Sequence, residues 1–182
     1  ADHGIRYVST PYSCMRQTRQ PQTPRIAIEC GVMTVDRGRR APSWKTVAAS
    51  PAEAGDGPII GLHWPNILHE DPDRNDEVVD TWVSALRLLD QAPDRWLAPD
   101  TPSAWSQLAH VECTRVTVTD EGIGFDFTML DSLPECVPVD RFVLKTQGPA
   151  PPQFREGVEV ISTREAGGCF VTHLKRTCSS VC

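Results

Sequence analysis

Short runs rich in Val, Ile, Thr and aromatic residues recur along the whole chain. They are IRYVST from Ile5, RIAIECGVMTV from Arg25, WKTVAA from Trp44, PIIGLHW from Pro58, VECTRVTVT from Val111, GFDFTML from Gly124, RFVLKT from Arg141, GVEVIST from Gly157 and GCFVTHLKR from Gly168. Several alternate with period two, as Val111, Cys113 and Arg115 do against Glu112, Thr114 and Val116, the pattern of a half-buried strand. Pro- and Gly-rich breaks (RQPQTPR, SPAEAGDGP, QGPAPPQ, REAGG) separate the runs. No internal repeat is apparent. This spacing predicts a mainly all-β fold: a two-sheet antiparallel β-sandwich with one or two short helices, residues 1–182 forming a single binding domain.

Two segments depart from that pattern. From Asn75 to Gln91 the apolar residues Val79, Trp82, Val83, Leu86 and Leu89 fall at helical spacing. Asp76, Glu77 and Asp80 then occupy its first turns, where carboxylates complement the helix dipole, and Asn75 or Asp73 supplies the cap. TPSAWSQLA predicts a second, short helix, with Thr101 as cap and Pro102 at the first helical position.

Composition narrows the class. The chain has 182 residues, 40% hydrophobic and 23% charged, as expected of a folded domain with a real core. No apolar run approaches the length of a membrane span. A start at Ala1 reads as signal-peptide removal and predicts a secreted protein. Seven cysteines (Cys14, Cys30, Cys113, Cys136, Cys169, Cys178 and Cys182) are spread along the chain with no CxxC pair. Clustered zinc ligands are thus missing, and no metal or cofactor is expected. Spread cysteines in a secreted chain predict disulfides, drawn from Cys14, Cys30, Cys113, Cys136, Cys169 and Cys178. The odd cysteine, placed at Cys14 or Cys182, points to an intermolecular bridge and a disulfide-linked homodimer. Fifteen Arg against three Lys indicates a GC-rich genome, and neither Asn66 nor Asn75 lies in a glycosylation sequon.

Charge changes the picture most. The net charge of -6 is the sum of a net +3 over residues 1–60, a net -12 over 61–140 and a net +3 over 141–182. Such a field repels nucleic acid and anionic lipid and steers cationic partners. It is densest in HEDPDRNDEVVD, His69 to Asp80, where six of twelve residues are acidic. A solvated helix entry explains Asp76, Glu77 and Asp80 but does not require Glu70, Asp71 or Asp73. The partner-binding residues expected on charge are therefore Glu70, Asp71, Asp73, Asp76 and Glu77, with Glu112 as an outlier. Enzyme signatures are weak: there is no GxSxG, phosphate-binding glycine loop or HExxH. His63 and His69, six apart with Glu70 adjacent, are the one arrangement suggesting a secreted hydrolase. The five tryptophans read mostly as core, with a fraction left to anchor a partner.

Several stretches resemble the secreted chemokine-binding and immune-evasion proteins of poxviruses. HGIRYV followed by IECGVMTV looks like the family's opening. AWSQLAHVECTRVTVT resembles its short helix leading to a cysteine and a strand, with Cys113 in that role. FDFTMLDSLPECVPVDRFVLK resembles a strand, a loop bearing Cys136 and a further strand, and HLKRTC resembles a C-terminal strand ending at Cys178. The resemblance implies a two-sheet β-sandwich that captures host chemokines on one sheet face and blocks receptor engagement, an acidic loop meeting their basic surface. It implies no catalysis. The GC-rich composition suits the parapoxvirus branch, whereas orthopoxvirus members have eight cysteines and a longer acidic loop. A further branch of the family sequesters cytokines such as GM-CSF or IL-2. A bacterial secreted inhibitor is a rival for which no particular residue argues.

Overall fold

The computed structural model describes residues 4–10, 26–29, 31–36, 42–52, 59, 62–135 and 139–177. Strands are β1 (Tyr7–Thr10), β2 (Ile26–Glu29), β3 (Val32–Asp36), β4 (Arg115–Thr119), β5 (Gly122–Asp126), β6 (Arg141–Thr146), β7 (Val158–Ala166) and β8 (Cys169–Arg176). Helices are α1 (Trp44–Ala49), α2 (Trp64–Ile67), α3 (Asn75–Gln91), α4 (Thr101–Cys113) and α5 (Thr128–Asp131), with a 3-10 turn at Pro72–Arg74. The strands form three small sheets, in the orders β1-β3-β2, β4-β5 and β6-β8-β7. The fold is therefore mixed α/β, and the expected two-sheet β-sandwich with one or two short helices is not what forms.

Local chemistry explains where the strand pattern failed. WKTVAA is α1, because the Ser43 hydroxyl accepts from the Thr46 N–H at 3.2 Å and caps a helix that buries Val47. The VEC of the alternating run is the last turn of α4, and Thr114 turns extended before β4 begins at Arg115. GFDFTML splits after Asp126, whose carboxylate accepts from the Thr128 N–H at 2.9 Å and starts α5. In PIIGLHW, Trp64 opens α2. The disulfide expectation also fails where it is visible: Cys113 and Cys169 are free thiols, Cys169 buried. Cys14, Cys30, Cys136, Cys178 and Cys182 lie outside the described residues.

The chain divides into two compact units, one of Ala1–Arg6, Ile28–Met33 and Ala98–Cys182, the other of Tyr7–Ala27 and Thr34–Leu97. In the first, β7 and β8 form a hairpin whose Ala166↔Cys169 pair flanks Gly167 and Gly168. Both glycines have positive φ, 61° and 75°, as a two-residue turn of the primed type demands. At the start of β5, Gly122 has φ 121°, and a Cβ there would meet the Gln153 carbonyl oxygen at 2.8 Å. That close approach lets the Ile123 N–H donate to Gln153 and the Arg155 N–H donate to Ile123, both at 2.9 Å. The core of this unit is aromatic: Phe125 meets Phe142 edge-on at 5.2 Å, Phe127 stacks on Phe125 at 5.8 Å, and His110 stacks on Phe142 at 4.1 Å. Arg176, only 9% exposed, pairs with Asp131 and lies 4.9 Å over the Phe127 ring.

The second unit is built on α3. Its buried stripe is Val78, Trp82, Ala85 and Leu89, packed with Val47 of α1. These positions repeat at i, i+4, i+7 and i+11, the spacing of one helix face. Trp44, Ile67 and Leu86 cover the cluster from its edges.

Candidate partner-binding surface

The entry to α3 is held by a chain of local bonds that involves the sequence-predicted residues directly. Asn66 accepts from the His63 N–H at 2.9 Å, donates to the Pro42 carbonyl at 3.1 Å and receives the Trp82 indole N–H on its own carbonyl at 2.9 Å. The short helix α2 is thereby tied to both α1's lead-in and the core of α3. Asn75 does not cap α3. It sits inside the first turn, and its side chain accepts from the His69 N–H at 2.8 Å. The His69 ring accepts the Asp71 N–H on Nδ1 at 2.9 Å and lies 5.3 Å from the Trp44 ring. Asp71 in turn accepts from the Asp73 N–H at 3.1 Å and caps the 3-10 turn.

Of the expected carboxylates on this stretch, Asp71 is the turn cap just described, and Glu70, Asp73, Asp76 and Glu77, with the neighbouring Asp80, sort into two groups. Glu77 takes a two-pronged contact from Arg74, at 2.7 Å on each oxygen, and this bond holds its carboxyl below the ordinary range while raising the guanidinium. Glu70 lies 3.4 Å from Lys45. These two acids are already answered within the unit. Asp73, Asp76 and Asp80 are exposed and form no ion pair among the described residues, so their charge faces solvent. Glu112 is on α4, in the other unit, half-buried, where it helps burial push the neighbouring Cys113 thiol up.

The outward face of α3 carries a feature that the sequence pattern placed inside. Val79 and Val83 are 53% and 37% exposed. With Asp76 and Asp80 they occupy i, i+3, i+4 and i+7 of one helix, which puts all four on a single face. In the same unit Trp64 is 73% exposed at the start of α2, with Leu62 and Leu68 exposed on either side of that helix. Of the five tryptophans, Trp82 and Trp105 are core, while Trp64 stands in water on a helix whose carbonyl and amide groups are tied down. A sequence signal for Trp64 existed only in the surrounding polar residues and Pro65.

His63 and His69 are each held in local contacts of their own. The His63 backbone caps α2, and the His69 ring is engaged with Asp71 and Trp44. Among the described residues no group of three or more His, Cys, Asp and Glu is placed to hold a metal ion, and no helix is long and apolar enough to cross a membrane. Comparisons with protein-family models, curated proteins and solved structures found no match to this chain.

Proposed function

We propose that the chain is a binding protein that captures a basic protein partner through the outward face of α3, with host chemokines as the partner class. The observation that carries this reading is the exposure of Val79 and Val83 between the exposed carboxylates of Asp76 and Asp80. Apolar side chains inside a charged rim are what specific capture requires: the carboxylates accelerate encounter, and the desolvated apolar atoms hold the complex. The net -12 of residues 61–140 adds long-range attraction for a cationic protein. The chemokine assignment rests on sequence resemblance alone, since the β-sandwich that the resemblance implies does not form.

The test is surface-plasmon binding to a chemokine panel together with GM-CSF and IL-2, at about 50 and about 300 mM salt, a range over which screening changes strongly. The reading expects chemokine binding whose association slows as salt rises. Asp76→Asn with Asp80→Asn should slow association and flatten that salt dependence. Val79→Ser with Val83→Ser should speed dissociation and weaken binding at least about tenfold, the effect of losing apolar anchors. Both pairs are exposed, so thermal stability should hold. Binding confined to GM-CSF or IL-2 and indifferent to salt would move the partner to that cytokine class. Silence across the panel would return the acidic stretch to a solvated helix entry.

A further inference from the structure

We propose that β4 is a self-association edge: a second copy of the chain pairs with it antiparallel about Thr117, joining two β4–β5 hairpins into one continuous sheet. The inference concerns the unit that does not carry α3, and it stands whether or not the capture reading does.

An edge strand offers a row of backbone donors and acceptors to any chain that can pair with it, and folded proteins usually defend such edges. Three of the four edges in this unit are defended. Along β6, the Gln107 side chain donates to the Val143 carbonyl at 3.0 Å and accepts from its N–H at 2.7 Å, and the Ser106 hydroxyl donates to the Arg141 carbonyl. The outer side of β5 is bridged by Gln153 to Arg155. β7 is bulged between Val160 and Ser162 and carries Glu159, Arg164 and Glu165. Among the described residues nothing bonds to the outer edge of β4, it has no bulge, and its one charge is Arg115 at its end. All five of its residues are exposed, Val116 at 46% and Val118 at 75%, and among the described residues it pairs with β5 alone.

The sequence of β4 fits a second copy of itself. Val116 and Val118 stand opposite Phe125 and Ile123 in the hairpin, so the four share one face, and that apolar face runs off the open edge. Pairing about Thr117 sets Val116 of one copy opposite Val118 of the other and Thr117 opposite Thr117. Side-chain alternation is preserved, and the apolar face continues across the two-fold axis. Charge agrees with the same direction. Arg115 lies at one end of β4, opposite Asp126 of its own hairpin, and Asp120 lies just beyond the other end, beside a Glu121 that Arg155 already pairs at 3.6 Å. Antiparallel pairing brings the Arg115 of each copy beside the acidic turn of the other, whereas parallel pairing would set like against like.

Sedimentation velocity of the full chain under reducing conditions, over a wide concentration range, decides the matter. A reversible dimer is expected, with slowed hydrogen exchange at the β4 amides at dimeric concentrations. Val118→Lys sets a lysine opposite Val116 of the other copy on each side of the axis and should raise the dimer dissociation constant at least about tenfold. Arg115→Asp should weaken the dimer, and Arg115→Asp combined with Asp120→Arg should recover it. The circular dichroism of each variant should match the parent, because these side chains are exposed. A chain that stays monomeric throughout overturns the proposal. So does a dimer that Val118→Lys leaves unchanged, since β4 would then not be its interface.

Discussion

Trp82→Ala should destabilise the α3 unit by about 3–5 kcal/mol, the range for emptying a buried aromatic site. Trp82 is 7% exposed and lies at the centre of the cluster made by Val47, Val78, Ala85 and Leu89. Its loss removes the surface against which α1 and α3 pack, and it also strips the Asn66 carbonyl of its indole donor. Trp82→Phe separates the two effects. The aromatic ring remains, the N–H is gone, and the cost should be about 1–3 kcal/mol, that of one unsatisfied carbonyl and some lost volume. Urea unfolding of the parent and both variants measures the difference. A Trp82→Phe protein as stable as the parent would show that the indole bond does not hold α2. The consequence reaches the exposed Trp64, because it shares that helix with Asn66. Loosening it should blur the position of Trp64 while leaving the face of α3 intact.

The same helix shows how much the sequence could disclose. The bounds of α3, Asn75 to Gln91, follow from helical spacing and the acidic first turn, and the structure has them unchanged. Which stripe of it is buried did not follow. Val79, Trp82, Val83, Leu86 and Leu89 and the true stripe of Val78, Trp82, Ala85 and Leu89 are neighbouring faces of one cylinder. Spacing alone cannot choose between them. The choice is tertiary: it depends on where Val47 sits and on the bond from Trp82 to Asn66. The acidic run was legible as charge. That Glu70 and Glu77 are answered by Lys45 and Arg74, leaving Asp73, Asp76 and Asp80, required coordinates.

The strands tell a related story. RFVLKT is β6 to the residue, and GVEVIST and GCFVTHLKR lie largely within β7 and β8. Alternation in RVTVT was read as a half-buried strand, yet β4 is exposed on both faces. Alternation reports that one face is fit for burial; what covers that face is a separate matter. The sandwich failed for another reason. Two of the β-rich runs hold helices, one capped by Ser43 and one entered just after Asp126, whose carboxylate accepts from the Thr128 N–H, and short-range bonds of that kind are invisible to composition.

Stability should fall as pH drops from about 6.5 toward about 4, because of His110. Its ring is 4% exposed, and burial is the main reason its pKa is pushed down from 6.5 to about 4. The hydrogen bond to Val139 and the charge of Asp140 oppose that shift, while Arg176 adds to it. The Val139 carbonyl can only accept, so Nε2–H donates to it at 3.1 Å, and the neutral ring accepts the Thr114 hydroxyl on Nδ1 at 2.9 Å. A proton on Nδ1 would turn the Thr114 hydroxyl from donor to acceptor and place a positive charge beside Arg176 and against the face of Phe142, out of reach of water. In the unfolded chain the imidazole titrates at its ordinary value. Between the two pKa values the unfolded state therefore binds more protons than the folded state, and acid favours unfolding. The contribution is fully present above about pH 6.5 and is lost once the pH passes below about 4. It amounts to about 3 kcal/mol over that window. His110→Gln keeps one donor and one acceptor without a titrating proton. Urea unfolding of both proteins at a series of pH values should show a steeper decline for the parent through this window. Parallel curves would show that His110 is not the source of the acid sensitivity. If the curves diverge as expected, His110 is a group that the fold must keep neutral, and the free energy of the α4–β6 contact depends on it.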